Sequence, residues 1–486
     1  MIPSNVLFVS SEVDPFSKTG GLADVSGSLP AALKSLGCEV KVFSPFYRHV
    51  KKGGFNTGVI KSDIPVTLDR KIFRFSLHYL VRDGVDFYFI GNDRLFDRDQ
   101  LYGSVLGDYR DNALRFAFFD AAVLESARVL DYRPGVIHCN DWHTGLIPFY
   151  VRNDPAFSGF FGRTRTLFTI HNLMYQGLFP RRVMPRINVG KDFFTADKLE
   201  FYGRFSFMKS GIIFADAVST VSAGYAREIL TREFGCGLDG LLSTRKIDLY
   251  GIPNGVDYSK WSPDTDRYIK VNYDAGTLEK KKECKLDLLK IAGLPEDPDT
   301  PLLGVVSRLA EQKGMDIVAA AAADIVGMGY RMVVLGKGEA RYEKSLTGIG
   351  RQYQGNIVVD ISFNNQLAHK IEAGCDMFLM PSRYEPCGLN QMFSLKYGTI
   401  PVVRAVGGLE DTVIDFNDDA EYGNGFKFRG TEARDLSDTL RRALPVYRNS
   451  QAWEKITRNA MACDFSWIKS ARQYVILYSK LSGAVR

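Results

Sequence analysis

The stretch Ser17-Lys18-Thr19-Gly20-Gly21-Leu22-Ala23-Asp24 places a cation and paired glycines where a first apolar strand hands over to a helical pattern. Paired glycines admit an anion close to the backbone, the N-terminal N–H groups and dipole of the following helix favour it, and Lys18 adds a full charge. The chemistry predicted is phosphate binding. Gly407-Gly408-Leu409-Glu410-Asp411 repeats the pattern after the apolar run Pro401-Val402-Val403-Arg404, so two similar half-sites on two similar domains are expected to face one ligand.

Three further groups carry candidate chemistry. In Ser307-Arg308-Leu309-Ala310-Glu311-Gln312-Lys313-Gly314, Arg308 ends a strand and Lys313 precedes a helix, so both cations suit a diphosphate whose charge grows as it departs. In Ser382-Arg383-Tyr384-Glu385-Pro386-Cys387-Gly388-Leu389, the amides of Gly388 and Leu389 can hold phosphate or sugar hydroxyls, while Glu385 accepts from hydroxyls. Cys387, with no activating base nearby, reads as a small buried residue. Asp141-Trp142-His143 and His171-Asn172 each follow an apolar strand, which assembles a carboxylate, two imidazoles, an amide and an indole suited to sugar hydroxyls and a stacked ring face. His138 and His143 lack the spacing and carboxylates of a metal shell.

The elements that position these residues alternate. Val6-Leu7-Phe8-Val9, a helical pattern closed by Gly37, and Val40-Lys41-Val42-Phe43 form a βαβ unit of the doubly wound, parallel kind, whose ligands bind beyond the carboxyl ends of the strands. Charge runs and prolines between Gly255 and Pro301 suggest an interdomain linker. From Leu303 the alternation restarts, and Trp453 to Leu481 reads as helix. The first domain is therefore placed at residues 1–255, with a C-terminal helix at 465–486 returning to it, and the second at 256–464.

Bulk properties narrow the class. A chain of 486 residues with 45% hydrophobic content exceeds one ordinary domain. Its 62 basic and 56 acidic side chains give a formal charge of +6, with no block of like charge that would mark a nucleic-acid tail. Seven cysteines without Cys-x-x-Cys spacing favour a reducing compartment. The start Met1-Ile2-Pro3-Ser4-Asn5 lacks a basic segment and long apolar core, and no apolar run approaches a membrane span, so a cytoplasmic protein without membrane partners is expected.

Taken together, Lys18-Thr19-Gly20-Gly21-Leu22-Ala23-Asp24, Asn140-Asp141-Trp142-His143, His171-Asn172-Leu173, Asn254-Gly255-Val256-Asp257, Ser307-Arg308-Leu309 and Glu385-Pro386-Cys387-Gly388-Leu389 resemble bacterial glycogen synthase and plant starch synthase, in family order. The resemblance implies an α/β GT-B fold: two Rossmann-like domains, a deep cleft between them, and a C-terminal helix packed back on the first. It implies transfer of glucose, with retained configuration, from ADP-glucose to the 4-hydroxyl of an α-1,4-glucan, with no metal or other cofactor and no nucleic-acid partner. By motif, His171, Arg308, Lys313 and Glu385 would be catalytic. Lys18, Gly20, Gly21, Asn254, Phe363, Cys387, Gly388 and Leu389 would hold the donor, and Glu12, Tyr102, Asp141, His143 and Asn172 the acceptor.

Some positions depart from the family pattern. Phe363 stands where Tyr is frequent beside the adenine, Ala405-Val406 precede the second glycine pair, and Glu410 replaces Ala. Phe393 occupies the place where many other retaining GT-B enzymes carry a ribose-binding glutamate, which favours the glycogen synthase branch. Alternatives are a related transferase using UDP-glucose or a small acceptor, a nucleotide-sugar epimerase, or a catalytically silent glucan-binding protein. Donor comparison and ADP release separate them.

Overall fold

Val6, Leu7, Phe8 and Val9 are wholly buried because their strand, Asn5–Val9, is paired in parallel on both sides, with Glu39–Pro45 and with Val136–Asn140. Central strands of parallel sheets are covered on both faces and so read as continuous apolar runs. The computed structural model describes residues 5–104 and 107–483; the leader-free start expected at Met1–Ser4 and the last residues, 484–486, lie outside these. The described chain divides into two units. One runs to Val221 and adds Ala226–Gly255 and the segment from Trp467; the other comprises Ser222–Tyr225 and Val256–Ser466.

The first unit is built on a nine-stranded sheet in the order Leu249–Gly251, Ala217–Thr220, Arg165–Ile170, Val136–Asn140, Asn5–Val9, Glu39–Pro45, Val85–Gly91, Lys71–Arg82, Gly58–Leu68. The first strand sits centrally. The chain passes first to one side, through Glu39–Pro45 to the edge strand Gly58–Leu68 and back inward to Val85–Gly91, and then to the other side, outward from Val136–Asn140 to Leu249–Gly251. The strand order therefore reverses between Asn5–Val9 and Val136–Asn140, and ligands of doubly wound sheets bind at such a switch point. Gly58–Leu68 and Lys71–Arg82 form an antiparallel edge that the apolar-run reading does not identify. Only the second half of Gly58–Leu68 alternates buried and exposed, so its period-2 signal is short. The local signal for the turn into Val85–Gly91 is Asp83-Gly84, both at positive φ.

The second unit has a wholly parallel six-stranded sheet in the order Ile357–Asp360, Arg331–Leu335, Leu302–Val306, Met377–Met380, Ile400–Arg404, Phe426–Phe428. Numbered within the unit this is 3-2-1-4-5-6, the dinucleotide-fold order, with its switch point between Leu302–Val306 and Met377–Met380. Alternate residues feed two cores. Leu303, Met332, Val334, Met377 and Leu379 pack on one face, and Leu302, Val333, Leu335, Phe378 and Met380 on the other.

Two sequence expectations are corrected. The crossing between units, expected somewhere within Gly255–Pro301, falls at its first residue, and the stretch after Gly255 is folded structure of the second unit rather than linker. Its charge run opens the helix Lys281–Ala292, where Lys281 donates to Ala373 O at 2.8 Å and Thr399 Oγ1 at 2.7 Å, and Lys285 pairs with Asp376 at 2.6 Å. The helix read from Trp453 to Leu481 is two helices, Ser450–Met461 and Trp467–Leu481. Between them Phe465 O accepts from Val256 N at 2.7 Å and Asp464 caps Ser466 N at 2.8 Å, so these backbone groups are satisfied outside a helix. Trp467–Leu481 packs on the first unit, where buried His138 bonds Tyr478 Oη at 2.7 Å and Thr169 Oγ1 at 2.6 Å. Burial drives the His138 pKa down to about 3, so this ring is a neutral structural anchor.

Candidate functional site

In the first unit, the strands flanking the switch point deliver two groups of residues. Beyond Val9, the buried carboxylate of Glu12 accepts from Thr19 N (2.5 Å), Thr19 Oγ1 (2.6 Å), Gly20 N (3.2 Å) and Tyr102 Oη (2.7 Å). It thereby shapes the glycine loop from within. Gly20 caps the helix Gly21–Ser35, and a Cβ at either glycine would meet nothing within 4 Å, so the loop backbone is open to close approach. Lys18, about half exposed, pairs with Asp24 at 2.5 Å.

Beyond Asn140, Asp141 takes φ +58° and ψ 176°, a region nearly reserved for glycine that costs roughly 1–3 kcal/mol elsewhere. The strained turn aims its carboxylate at the neighbouring strand end, where Oδ1 accepts from His171 N at 2.8 Å. Burial raises the Asp141 pKa to about 7, opposed by N–H bonds from His171 and Asn172 and reinforced by Glu12. Asn140 Nδ2 donates to Val9 O at 3.0 Å, which turns its Oδ1 toward His171 Nε2 at 2.9 Å. His171 therefore carries its proton on Nε2 and presents a lone pair at Nδ1. Burial holds it neutral, with a pKa near 3. His143, stacked on Trp142 (3.9 Å) and Tyr102 (4.5 Å), is kept neutral by burial and by the Arg115 charge. Its Nδ1 has no hydrogen-bond partner among the described residues. Asn172 Oδ1 accepts from Met174 N at 3.1 Å and shapes the loop after His171.

Because the folded-state pKa of Asp141 lies above that of a free carboxyl, its protonated form stabilises the fold below about pH 4. That contribution is lost as pH rises to about 7. Asp141→Asn removes the titration, so its melting temperature relative to wild type should be higher at pH 8 than at pH 5 in paired scanning calorimetry. A pH-independent difference would contradict the burial argument.

A residue missed in the sequence lies beneath this cluster. Arg115 is fully buried and donates to Leu95 O (2.7 Å), Leu101 O (2.9 Å) and Asn112 Oδ1 (2.7 Å), while Asn112 donates to Tyr102 O at 2.8 Å. It fixes the segment that carries Tyr102. The signal was a lone cation inside the apolar run Ala113–Ala117. Arg115→Met strands three acceptors, an effect partly offset by removing a desolvated charge, and should lower unfolding free energy by about 2–4 kcal/mol in urea titration. An unchanged midpoint would show that the carbonyls find other donors.

In the second unit, Arg308 and Lys313 follow Leu302–Val306, and Glu385 follows Met377–Met380, so the three stand on the two strand ends that flank its switch point. Lys313 Nζ meets Glu385 Oε2 at 2.5 Å, and Ser382 Oγ donates to the same oxygen at 3.0 Å. Arg383 N donates to Gln312 O at 2.8 Å, tying the two loops together. Exposed Arg308 touches Gln312 Oε1 at 3.3 Å. Cys387 is buried, and Gly388 (φ +72°) and Leu389 lead into the helix Asn390–Lys396.

The remaining expected residues stand elsewhere. Phe363 is 82% exposed in the loop after the edge strand Ile357–Asp360, two strands from the switch point. Asn254 is buried in the first unit beyond its own edge strand, with Oδ1 unpartnered among the described residues. The second glycine pair is not an open cradle like the first. A Cβ on Gly408 would collide with the Cys387 carbonyl, and Gly408 N donates to Glu385 O at 3.0 Å, so this pair braces the Glu385 loop. Among the described residues no cluster of His, Cys, Asp and Glu could hold a metal ion, and no helix is long and apolar enough to cross a membrane.

Residues 5–244 match the family model for the starch synthase catalytic domain, and residues 289–460 that for group 1 glycosyl transferases. A glycogen synthase of Koribacter versatilis is 46% identical over 480 residues, 98% of each chain. One from Moorella thermoacetica is 47% identical over 484 residues, 98% of this chain and 96% of its own. Among solved structures, the catalytic domain of starch synthase IV from Arabidopsis thaliana, bound to ADP and acarbose, matches with a TM-score of 0.90 at 30% identity over 99% of both chains. Sucrose-phosphate synthase from Thermosynechococcus elongatus matches at 18% identity and a TM-score of 0.61, over 99% of this chain and 100% of its own, a likeness of fold.

Proposed function

Because the chain belongs to the family of bacterial glycogen synthases and plant starch synthases, we propose a division of labour in which the second unit handles the donor's leaving group, the first unit's glycine loop adds to the hold on the donor, and the other site residues of the first unit bind the glucan. The chain is a GT-B glycosyltransferase. It transfers glucose with retained configuration from ADP-glucose to the non-reducing 4-hydroxyl of an α-1,4-glucan and so elongates glycogen. In that reaction the bond between glucose C1 and the diphosphate oxygen breaks with its electron pair leaving on ADP. The acceptor's 4-oxygen makes the new bond, and its proton passes to a phosphate oxygen or to water.

The observation that carries the assignment is the placement of Arg308, Lys313 and Glu385 on the two strand ends flanking one switch point. Arg308 and Lys313 neutralise the diphosphate as its charge develops, which preorganised cations do best when they need not reorient. Both contacts of Glu385 fall on Oε2, so Oε1 is the oxygen assigned to donor-glucose hydroxyls. The amides of Gly388 and Leu389 and the small side chain of Cys387 border that position, while Phe363 offers a ring face to the adenine. Lys18 with the open backbone of Gly20 and Gly21 binds the donor's phosphates and sugar. His171, neutral and pinned through Nε2, accepts from a sugar hydroxyl at Nδ1. Tyr102, Glu12, His143 and Asn172 bind acceptor hydroxyls, and Asp141 holds the His171–Asn172 backbone in place.

Charge neutralisation by two side chains makes this a metal-independent transfer, and the seven thiols, none in a disulfide, suit a cytoplasmic enzyme. The test is proton NMR of the product formed from ADP-glucose and maltotriose. An added α-linked residue is expected, and a β-linked one would overturn the retaining assignment.

A further inference from the structure

Tyr202 is 80% exposed and lies at φ +46°. It opens the two-residue turn between Glu200–Phe201 and Arg204–Ser206, and Gly203 follows at φ +76°. Turns with both central residues at positive φ favour Asn-Gly, Asp-Gly or Gly-Gly, and a bulky ring there is an outlier whose strain must be held by its surroundings. Little of the Tyr202 side chain is buried, so core packing does not account for it.

A second left-handed pair, Cys236 (φ +51°) and Gly237 (φ +80°), faces this turn. A Cβ on Gly237 would come within 3.1 Å of both the Phe201 and Tyr202 rings, so only glycine lets the backbone lie that close. Phe201 meets Tyr202 edge to face at 4.7 Å. The same loop is fastened to the segment after His171 and Asn172: Cys236 Sγ lies 3.3 Å from Met174 Sδ, and Cys236 O accepts from Gln176 Nε2 at 3.0 Å. Met174 and Tyr175, in that segment, are each more than half exposed. The result is an open surface of Tyr175, Met174 and Tyr202, continuous through backbone with the residues assigned to the acceptor.

We propose that this surface, centred on Tyr202, is an auxiliary carbohydrate subsite that holds an α-1,4-glucan several glucose units away from the end being extended. Pyranose rings present apolar C–H faces that pack on aromatic rings, and tyrosine hydroxyls exchange hydrogen bonds with sugar hydroxyls. The exposed group at the centre is uncharged, which fits a neutral polysaccharide rather than a polyanion. The strained turn is retained because it holds the ring outward, beside the path that leads from Asn172. The inference rests on the glucan-elongating reading above.

The test compares glycogen with maltotriose, a chain too short to reach a remote subsite, as acceptors for the full-length enzyme with ADP-glucose. Tyr202→Ala should lower the ratio of kcat/KM for glycogen to that for maltotriose by about fivefold or more, with retarded migration in glycogen-containing native gels reduced in parallel. Tyr202→Asn supplies the residue the turn prefers. It should melt at or above the wild-type temperature yet lose the glycogen preference equally, which separates the subsite from folding. An unchanged ratio in both variants, with wild type active on both acceptors, would overturn the subsite. Absence of transfer to either acceptor by wild type would instead overturn the glucan-elongating reading.

Discussion

Replacing Glu385 with alanine lowers kcat for glucosyl transfer by about a thousandfold, while ADP binds as tightly as in wild type or more tightly. The carboxylate is buried and holds Lys313 Nζ at 2.5 Å, so in the proposed donor site a diphosphate would compete with Glu385 for the ammonium. Removing the carboxylate leaves that cation wholly to the phosphates, which preserves or improves ADP affinity. It also deletes the acceptor assigned to donor-glucose hydroxyls, which raises the barrier to transfer. Titration calorimetry with ADP, beside initial rates at saturating ADP-glucose, reads both. Weakened ADP binding with a proportionate fall in rate would show that Glu385 only shapes the phosphate site.

Lys18→Ala lowers kcat at saturating donor by about a hundredfold to a thousandfold and leaves the melting temperature unchanged. The separation follows from exposure. Lys18 is 48% exposed and its ion pair with Asp24 is a surface contact, of a kind that contributes at most about 1 kcal/mol. Glu12 organises the loop amides independently of the lysine. Near wild-type transfer in this variant would remove the first glycine loop from the donor site, whereas loss of stability would make Lys18 a structural residue.

The open form of the first glycine loop was legible because it depends on local order: apolar strand, glycine pair, helix. The second pair has the same Gly-Gly-Leu letters and a different role. What distinguishes it is the Cys387 carbonyl against Gly408, a neighbour twenty-one positions earlier that no local pattern announces. The parallel strands were readable as apolar runs because both faces are buried, and their 3-2-1-4-5-6 order placed Arg308 and Glu385 on flanking strand ends. The antiparallel edge at Gly58–Leu68 was not readable, since half of that strand is exposed on both faces.

Cations were the hardest class to place. Lys281 and Lys285 sit in a sequence that reads as a solvated charge run, yet both are held by acceptors contributed from distant segments, such as Ala373 and Asp376. Arg115 lies inside an apolar helix and donates through Nε and Nη1 to carbonyls ahead of it in the chain, while its buried Nη2 has no partner among the described residues. In each case the partner is tertiary, so composition points to the surface while the structure places the side chain inside. The break at residues 462–466 has the same origin, because backbone groups there find partners outside any helix.

The central claim is glucosyl transfer from ADP-glucose to a glucan. It is tested most directly by incorporation of labelled glucose into precipitable glycogen from ADP-glucose and, separately, from UDP-glucose, with Lys18→Ala alongside. The account predicts incorporation from ADP-glucose, little from UDP-glucose, and its loss in the variant. Incorporation from UDP-glucose alone, or from neither donor, would contradict it.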